Sequence, residues 1–208
     1  GGIHFIKLYE NALVRSTESE LISQSAFIAA AYKNEVAHLL RQKGKSIAEY
    51  GIPVRFPKKP SGFYQPIPAT IDLSREKILP PRPDGIQAGS PDPLAMQAGA
   101  RITPVLRDAQ RITLSGMKVL DYQGIAVAGQ QELGLSFIRL PEVKKAFWGE
   151  PDSLLRRRET PGKPPSPSSI SRGADFNVFV AMPILSGDRL LGVVLVNRTP
   201  TDLRQALY

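Results

Sequence analysis

Val178-Phe179-Val180-Ala181-Met182-Pro183-Ile184, Ser186-Gly187-Asp188 and Leu190-Leu191-Gly192-Val193-Val194-Leu195-Val196 decide the fold. Two apolar runs flank a short polar turn with glycine at its centre, the signature of a β-hairpin. The second run is apolar almost throughout, which predicts a central strand with both faces covered. A second period-two pattern lies upstream. Met117, Val119 and Tyr122 alternate, Gln123-Gly124 turns, and Ile125 to Ala128 returns. Between the two hairpins, Pro141 to Trp148 fits a short helix, with proline at its first position and Gly149 as its stop. In the stretch 160–173, ten of fourteen residues are Pro, Gly or Ser, so it reads as loop.

The N-terminal part is helical. From Ile3 to Gln42 there is neither proline nor glycine, and Leu13, Leu21, Ile28, Val36, Leu39 and Leu40 recur at helical spacing. Forty residues at 1.5 Å each would reach about 60 Å, more than the width of a small domain. Glu10, Arg15, Glu18 and Glu20 predict a largely solvated first half, whereas Ala26 to Tyr32 predicts a second half packed on a core. Gly44 is a natural stop. Residues 51–93 contain ten prolines, which rule out a helix or a central strand through most of the segment. Ile67, Ile71, Leu73, Ile78 and Leu79, with Phe56, Phe63 and Tyr64, are too apolar for a free linker. The segment therefore reads as an extended strap around a core. A helix from Pro93 to Leu114, interrupted near Pro104, follows it. The expected organisation is a long helix over 1–44 and an α+β domain over 45–208, with the strap at 51–93.

Composition removes several function classes. The chain has 208 residues, 42% of them hydrophobic, enough for a buried core. No apolar run approaches the ~20 residues of a membrane-spanning helix. Cysteine is absent, which excludes disulfides, thiolate metal sites and cysteine nucleophiles. His4 and His38 are far apart and on the same predicted helix, so a histidine-based zinc site is not expected. No cofactor is called for. The net charge is +8, but half of it falls in 44–116 and the rest is spread along the chain. Tracking a nucleic-acid backbone needs basic residues focused on one face, so no nucleic-acid partner is expected. Gly44-Lys45-Ser46 imitates the end of a phosphate loop, but Leu39 stands where that loop needs glycine, and a helix precedes it where a strand should. There is no dinucleotide-binding glycine fingerprint and no nucleophile elbow.

Candidate binding residues gather between the hairpins. Arg156-Arg157-Arg158 is the densest basic cluster. It reads either as a solvated loop edge beside Asp152 and Glu159, the commoner fate, or as a clamp for a carboxylate or phosphate. Arg139, Arg172 and Asp175 flank the same region. Trp148, the single tryptophan, reads as a core anchor or as the aromatic wall of a pocket. At the end of the chain Thr199, Pro200 and Asp202 suit a helix start. Only about two and a half turns remain before Tyr208, too few for stability alone. The 208 residues are therefore expected to be a segment of a longer protein.

Leu114-Ser115-Gly116-Met117-Lys118-Val119-Leu120-Asp121 with Gly124-Ile125-Ala126-Val127-Ala128-Gly129 resembles the sheet entry of bacterial extracytoplasmic sensor domains. Glu132 to Ser136, Leu140 to Val143, Ile170 to Gly173, Val180 to Ile184 and Gly192-Val193-Val194-Leu195-Val196-Asn197-Arg198-Thr199-Pro200 extend the likeness over about 45–208. The family is the sensor region of membrane histidine kinases with a PAS-like (Cache or PDC) fold. The resemblance implies an α+β fold, a long N-terminal helix packed on a central antiparallel sheet. It further implies a periplasmic location, membrane helices outside these residues and a kinase elsewhere in the protein, with no enzymatic activity in this segment. The signal would be a small molecule, anionic if the arginines bind it, or a periplasmic protein. A homodimer of the full-length protein is also implied. The arginine-tryptophan-tyrosine pattern of amino-acid-binding Cache sensors is missing. Alternatives are the sensor of a chemoreceptor or cyclic-dinucleotide enzyme, and more remotely a secreted enzyme or adaptor.

Overall fold

A computed structural model describes residues 2–55, 66–158 and 176–200, with side chains from Leu8 onward. The expectations for Phe56, Phe63 and Tyr64, for the loop 160–173 with Arg172, for Asp175 and for a helix beyond Pro200 lie outside the described residues.

The first helix, α1 (Gly2–Gln42), is continuous, as the absence of internal breakers requires. It ends where Gly44 turns left-handed (φ +68°) and the Lys45 amide bonds back to the Leu40 carbonyl. Ser46 then caps a single 3-10 turn by accepting from the Ala48 amide. The second helix, α2 (Pro93–Thr113), starts on the carboxylate of Asp92, which accepts from the Ala95 amide, with Pro93 in the first turn. The expected break at Pro104 does not occur. Pro104 and Ala100, whose carbonyl would have bonded its missing N–H, are both exposed, so water can satisfy the orphaned oxygen. Gly99 sets the depth of packing. A Cβ there would overlap the carbonyl oxygen of Val127.

The sheet comprises β1 (Ile52–Pro53), β2 (Ile78–Leu79), β3 (Gly116–Asp121), β4 (Ala126–Ala128), β5 (Asp152–Arg157), β6 (Phe176–Ser186) and β7 (Arg189–Arg198). Their spatial order is β2-β5-β6-β7-β3-β4, with β1 paired to the start of β7. Every pairing is antiparallel except β2 with β5. The expected hairpin is thus the centre of the sheet, with β7 flanked by β6 and β3. The short helix α3 (Pro141–Phe147) falls where its Pro-to-Gly punctuation placed it. Tyr122 lies just beyond β3, in the turn.

Alternation along the strands creates two cores. Val178, Val180, Met182 and Ile184 of β6, Val194 and Val196 of β7, and Met117 and Val119 of β3 pack under α1 and α2. Ala181, Val193 and Leu120 face the other way, against Leu140, Val143 and Ala146 in and beside α3 and against Phe137.

Two sequence expectations are corrected. The first half of α1 is solvated on one face, which carries Arg15 and Glu20, but not at Glu10 and Glu18, which are buried. Glu18 is fully buried and accepts from the backbone amides of Thr70 (2.9 Å) and Ile71 (2.9 Å). Arg15 Nε donates to the Ile71 carbonyl, and Asn11 accepts from the Leu73 amide. Ile71 is itself in the main core, and Leu73 packs against it. The second correction concerns Asp152–Arg157. This stretch is a strand, β5, and not a loop edge.

Candidate functional site

The sheet face opposite α1 carries a cleft of about 330 Å³. Its floor follows from strand register. Lys118 of β3 stands opposite Leu195 of β7, and Asn197 of β7 lies between Gly116 of β3 and Phe179 of β6. Gly116 has no side chain at this point, and a Cβ would overlap Oδ1 of Asn197. The glycine thus gives the Asn197 amide its place on the floor. Leu140 and Glu142 form one wall, and Glu132 with Arg82 of the strap form another.

Glu132 organises its side of the cleft. Its backbone is left-handed (φ +62°), uncommon for a residue with a side chain. Its carboxylate accepts from Arg82 Nη2 (2.6 Å), from the Gly85 amide (2.8 Å) and from Lys118 Nζ (3.4 Å). Partial burial opposes the charge, but the Arg82 hydrogen bond, the Gly85 amide and the Lys118 ammonium outweigh it and hold the Glu132 pKa at about 2. Arg82 and Lys118 also lie over the Phe137 ring, 4.8 and 4.9 Å from its centroid. Burial lowers the Lys118 pKa, against the attraction of Glu132. On the wall beside α3, Arg156 and Glu142 form a buried pair at 2.9 Å. The charges do not cancel over the site. Arg156 lines the second hollow behind this wall and pairs with Glu142, whereas Arg82 and Lys118 share Glu132, so among the described residues these five groups together carry one positive charge in excess.

The arginine cluster is taken apart by the strand it occupies. Arg156 points toward α3 and is 4% exposed, with its guanidinium 5.8 Å from the Phe179 ring centroid. Arg157, the next residue along the strand, is exposed, and Arg158 follows the end of β5, partly buried. Neither a solvated edge nor a three-arginine clamp describes this arrangement. Arg139 lines a second hollow of about 400 Å³ with Leu79, Pro80, Pro83, Phe137 and Arg156. Trp148 is 42% exposed at the end of α3, with Arg55 5.0 Å above its ring, and it lines neither hollow. It is not a core anchor. The sequence reading passed over Lys118, although a lysine between Met117 and Val119, on the same face as buried Leu120, marks a charge aimed at a covered surface.

A second polar cluster joins α2 to β3. Tyr50 donates to Asp92 at 2.6 Å and Tyr122 to its other oxygen at 3.2 Å, while Asp121 accepts from the amides of Asp92, Gln123 and Ile125. Burial raises the Asp121 pKa despite these three amides. It also pushes the Tyr50 and Tyr32 hydroxyls above the ordinary phenol range. All four carboxylate oxygens are used within the fold, so this cluster is a joint. Among the described residues no group of three or more His, Asp or Glu side chains could hold a metal ion, and no helix is long and apolar enough to cross a membrane.

No protein-family model matches the chain, and no curated protein matches it. The fold and the cleft are therefore the grounds for a functional reading.

Proposed function

We propose that the chain is the extracytoplasmic, PAS-like (Cache or PDC) sensor region of a bacterial membrane histidine kinase, with the cleft as its signal site. One observation carries the proposal. The central strand β7 serves both faces of the sheet. Leu195 and Asn197 form part of the cleft floor, while Val194 and Val196 pack in the core under α1. A change at the cleft floor therefore bears on the long helix through a single strand. The end of β7 is tied to that helix as well, by the ion pair of Arg198 with Glu20. Beside it, the Thr199 hydroxyl donates to Oδ1 of Asn177 on the adjacent strand β6 at 2.7 Å.

The order of the five longer strands supports the PAS-like reading: β4-β3-β7-β6-β5, with the first and last in sequence adjacent at the centre. In the proposed mechanism a signal favours one packing of α1 on β6 and β7. Shifts of about 1–2 Å between packed elements suffice in known switches. Moving such an equilibrium from mostly off to mostly on requires a preference of about 5.5 kcal/mol. The kinase, its ATP and the phosphorelay belong to other parts of the protein.

Reporter fusions to the native full-length protein test this. An exported reporter at Gly44, with a cytoplasmic reporter one membrane span beyond Tyr208, is the expected result. Cytoplasmic reporters at both positions would overturn the proposal.

A further inference from the structure

The chemistry of the cleft narrows what it can take, on the reading that it is the signal site. We infer that it binds a small organic monoanion, with the carboxylate beside Lys118 and Arg82 and an apolar body over Phe179 and Leu195.

The charge count comes first. Among the described residues Arg82 and Lys118 have one carboxylate between them, and both are sheltered, their side chains 24% and 12% exposed. Partly buried charge without a counter-charge is unfavourable, and a monoanion supplies what is missing. Donor capacity agrees. The Arg82 guanidinium has five N–H groups, of which the Pro83 carbonyl and Glu132 engage two nitrogens. The Lys118 ammonium has three donors, directed at the Gln131 carbonyl and Glu132, which leaves one for a ligand. Both cations can therefore bond a carboxylate without giving up Glu132, in charge-assisted contacts about twice as strong as neutral ones.

The rest of the cleft sets the body of the ligand. Phe179 and Leu195 offer an apolar floor, and Asn197 places an amide at its edge. The volume of about 330 Å³ is at the small end for ligand sites, generally about 300–1,000 Å³. A dianion would bring a second negative charge into a site with one surplus cation, beside Glu132 and Glu142. A neutral isostere would leave the surplus unbalanced.

Calorimetric titration of the 208-residue chain with benzoate, benzamide, phthalate and inorganic phosphate tests the inference. Benzoate should saturate, with benzamide and phthalate each weaker by about tenfold or more, the factor expected for one lost charge-assisted contact. Phosphate should not compete with benzoate. Lys118→Met keeps the stem and removes the charge, and Phe179→Ala removes the floor. Each should weaken benzoate by about tenfold, whereas Ser19→Ala on the exposed side of α1 should leave it unchanged. Equal binding of benzoate and benzamide, or no saturation by benzoate at any concentration where the chain stays folded, would overturn the inference. Both readouts use the unaltered chain and hold even if a variant fails to fold. The export reporters decide the sensor proposal separately, so an exported domain that ignores benzoate would remove the ligand class alone.

Discussion

Replacing Glu18 by alanine should destabilise the protein far more than replacing Glu20, although both are glutamates on one helix and both substitutions change the net charge equally. Glu18 is fully buried, and its carboxylate is the acceptor for the Thr70 and Ile71 amides. Ile71 is buried, so its N–H loses an acceptor and gains no water, at a cost of about 1–3 kcal/mol. Thr70 is exposed and its N–H can rehydrate, so that bond contributes only about 0.5–1.5 kcal/mol. The sum is about 2–4 kcal/mol. At about 2–4 °C per kcal/mol for a chain of this size, Tm should fall by roughly 5–15 °C. Glu20 is half-exposed and pairs with Arg198, so its loss should cost about 1 kcal/mol at most. Urea unfolding monitored by circular dichroism measures both variants. Limited proteolysis should also cut Glu18→Ala sooner than wild type in the strap. If Glu18→Ala proves as stable as Glu20→Ala, the strap is not anchored to α1 as described.

Three further outcomes follow from the same geometry. Glu142→Gln leaves Arg156 buried without its counter-charge and should cost about 3–5 kcal/mol, while the double change Glu142→Leu with Arg156→Met should recover most of that in urea unfolding. Glu132 has a pKa lowered from 4.5 to about 2, so its contribution is fully present above pH about 4.5 and is lost as pH falls toward 2. The shift is nominally worth about 3 kcal/mol, reduced to about 1–2 by solvent; Glu132→Gln should remove that much of the acid-side slope in stability measured against pH. Gly99→Ala sets helix propensity, which favours alanine by about 1 kcal/mol, against overlap with the Val127 carbonyl, a backbone atom that cannot swing aside. The overlap should win by about 1–3 kcal/mol, and a variant more stable than wild type would refute the close approach of α2 to β4.

The elements legible in the sequence are those whose signals are local. The length of α1 follows from a breaker-free run, its end from Gly44, the start of α2 from Asp92-Pro93, and the β6–β7 turn from Ser186-Gly187-Asp188. What escaped depends on partners distant in sequence. Glu18 looks like a solvent residue until the strap, more than fifty positions later, brings two amides to it. Arg156 looks like part of a basic edge until α3 presents Glu142. β5 has only Leu154 and Leu155 as apolar residues, too few for a period-two pattern, and its arginines follow strand alternation only once β6 is beside it. The cleft was illegible for the same reason. Its floor draws on three strands, and its surplus charge is visible only when Arg82, Lys118 and Glu132 are brought together by the fold.

The central claim is that occupancy of the cleft reaches α1 through β7. Hydrogen exchange followed by mass spectrometry, with and without saturating benzoate, tests it most directly. The account predicts altered exchange in two places: peptides of β3 and β7 that form the cleft floor, and peptides of α1 around Val14 to Gln24, which touch no part of the cleft. Changes confined to the cleft, with α1 exchanging identically in both conditions, would contradict it.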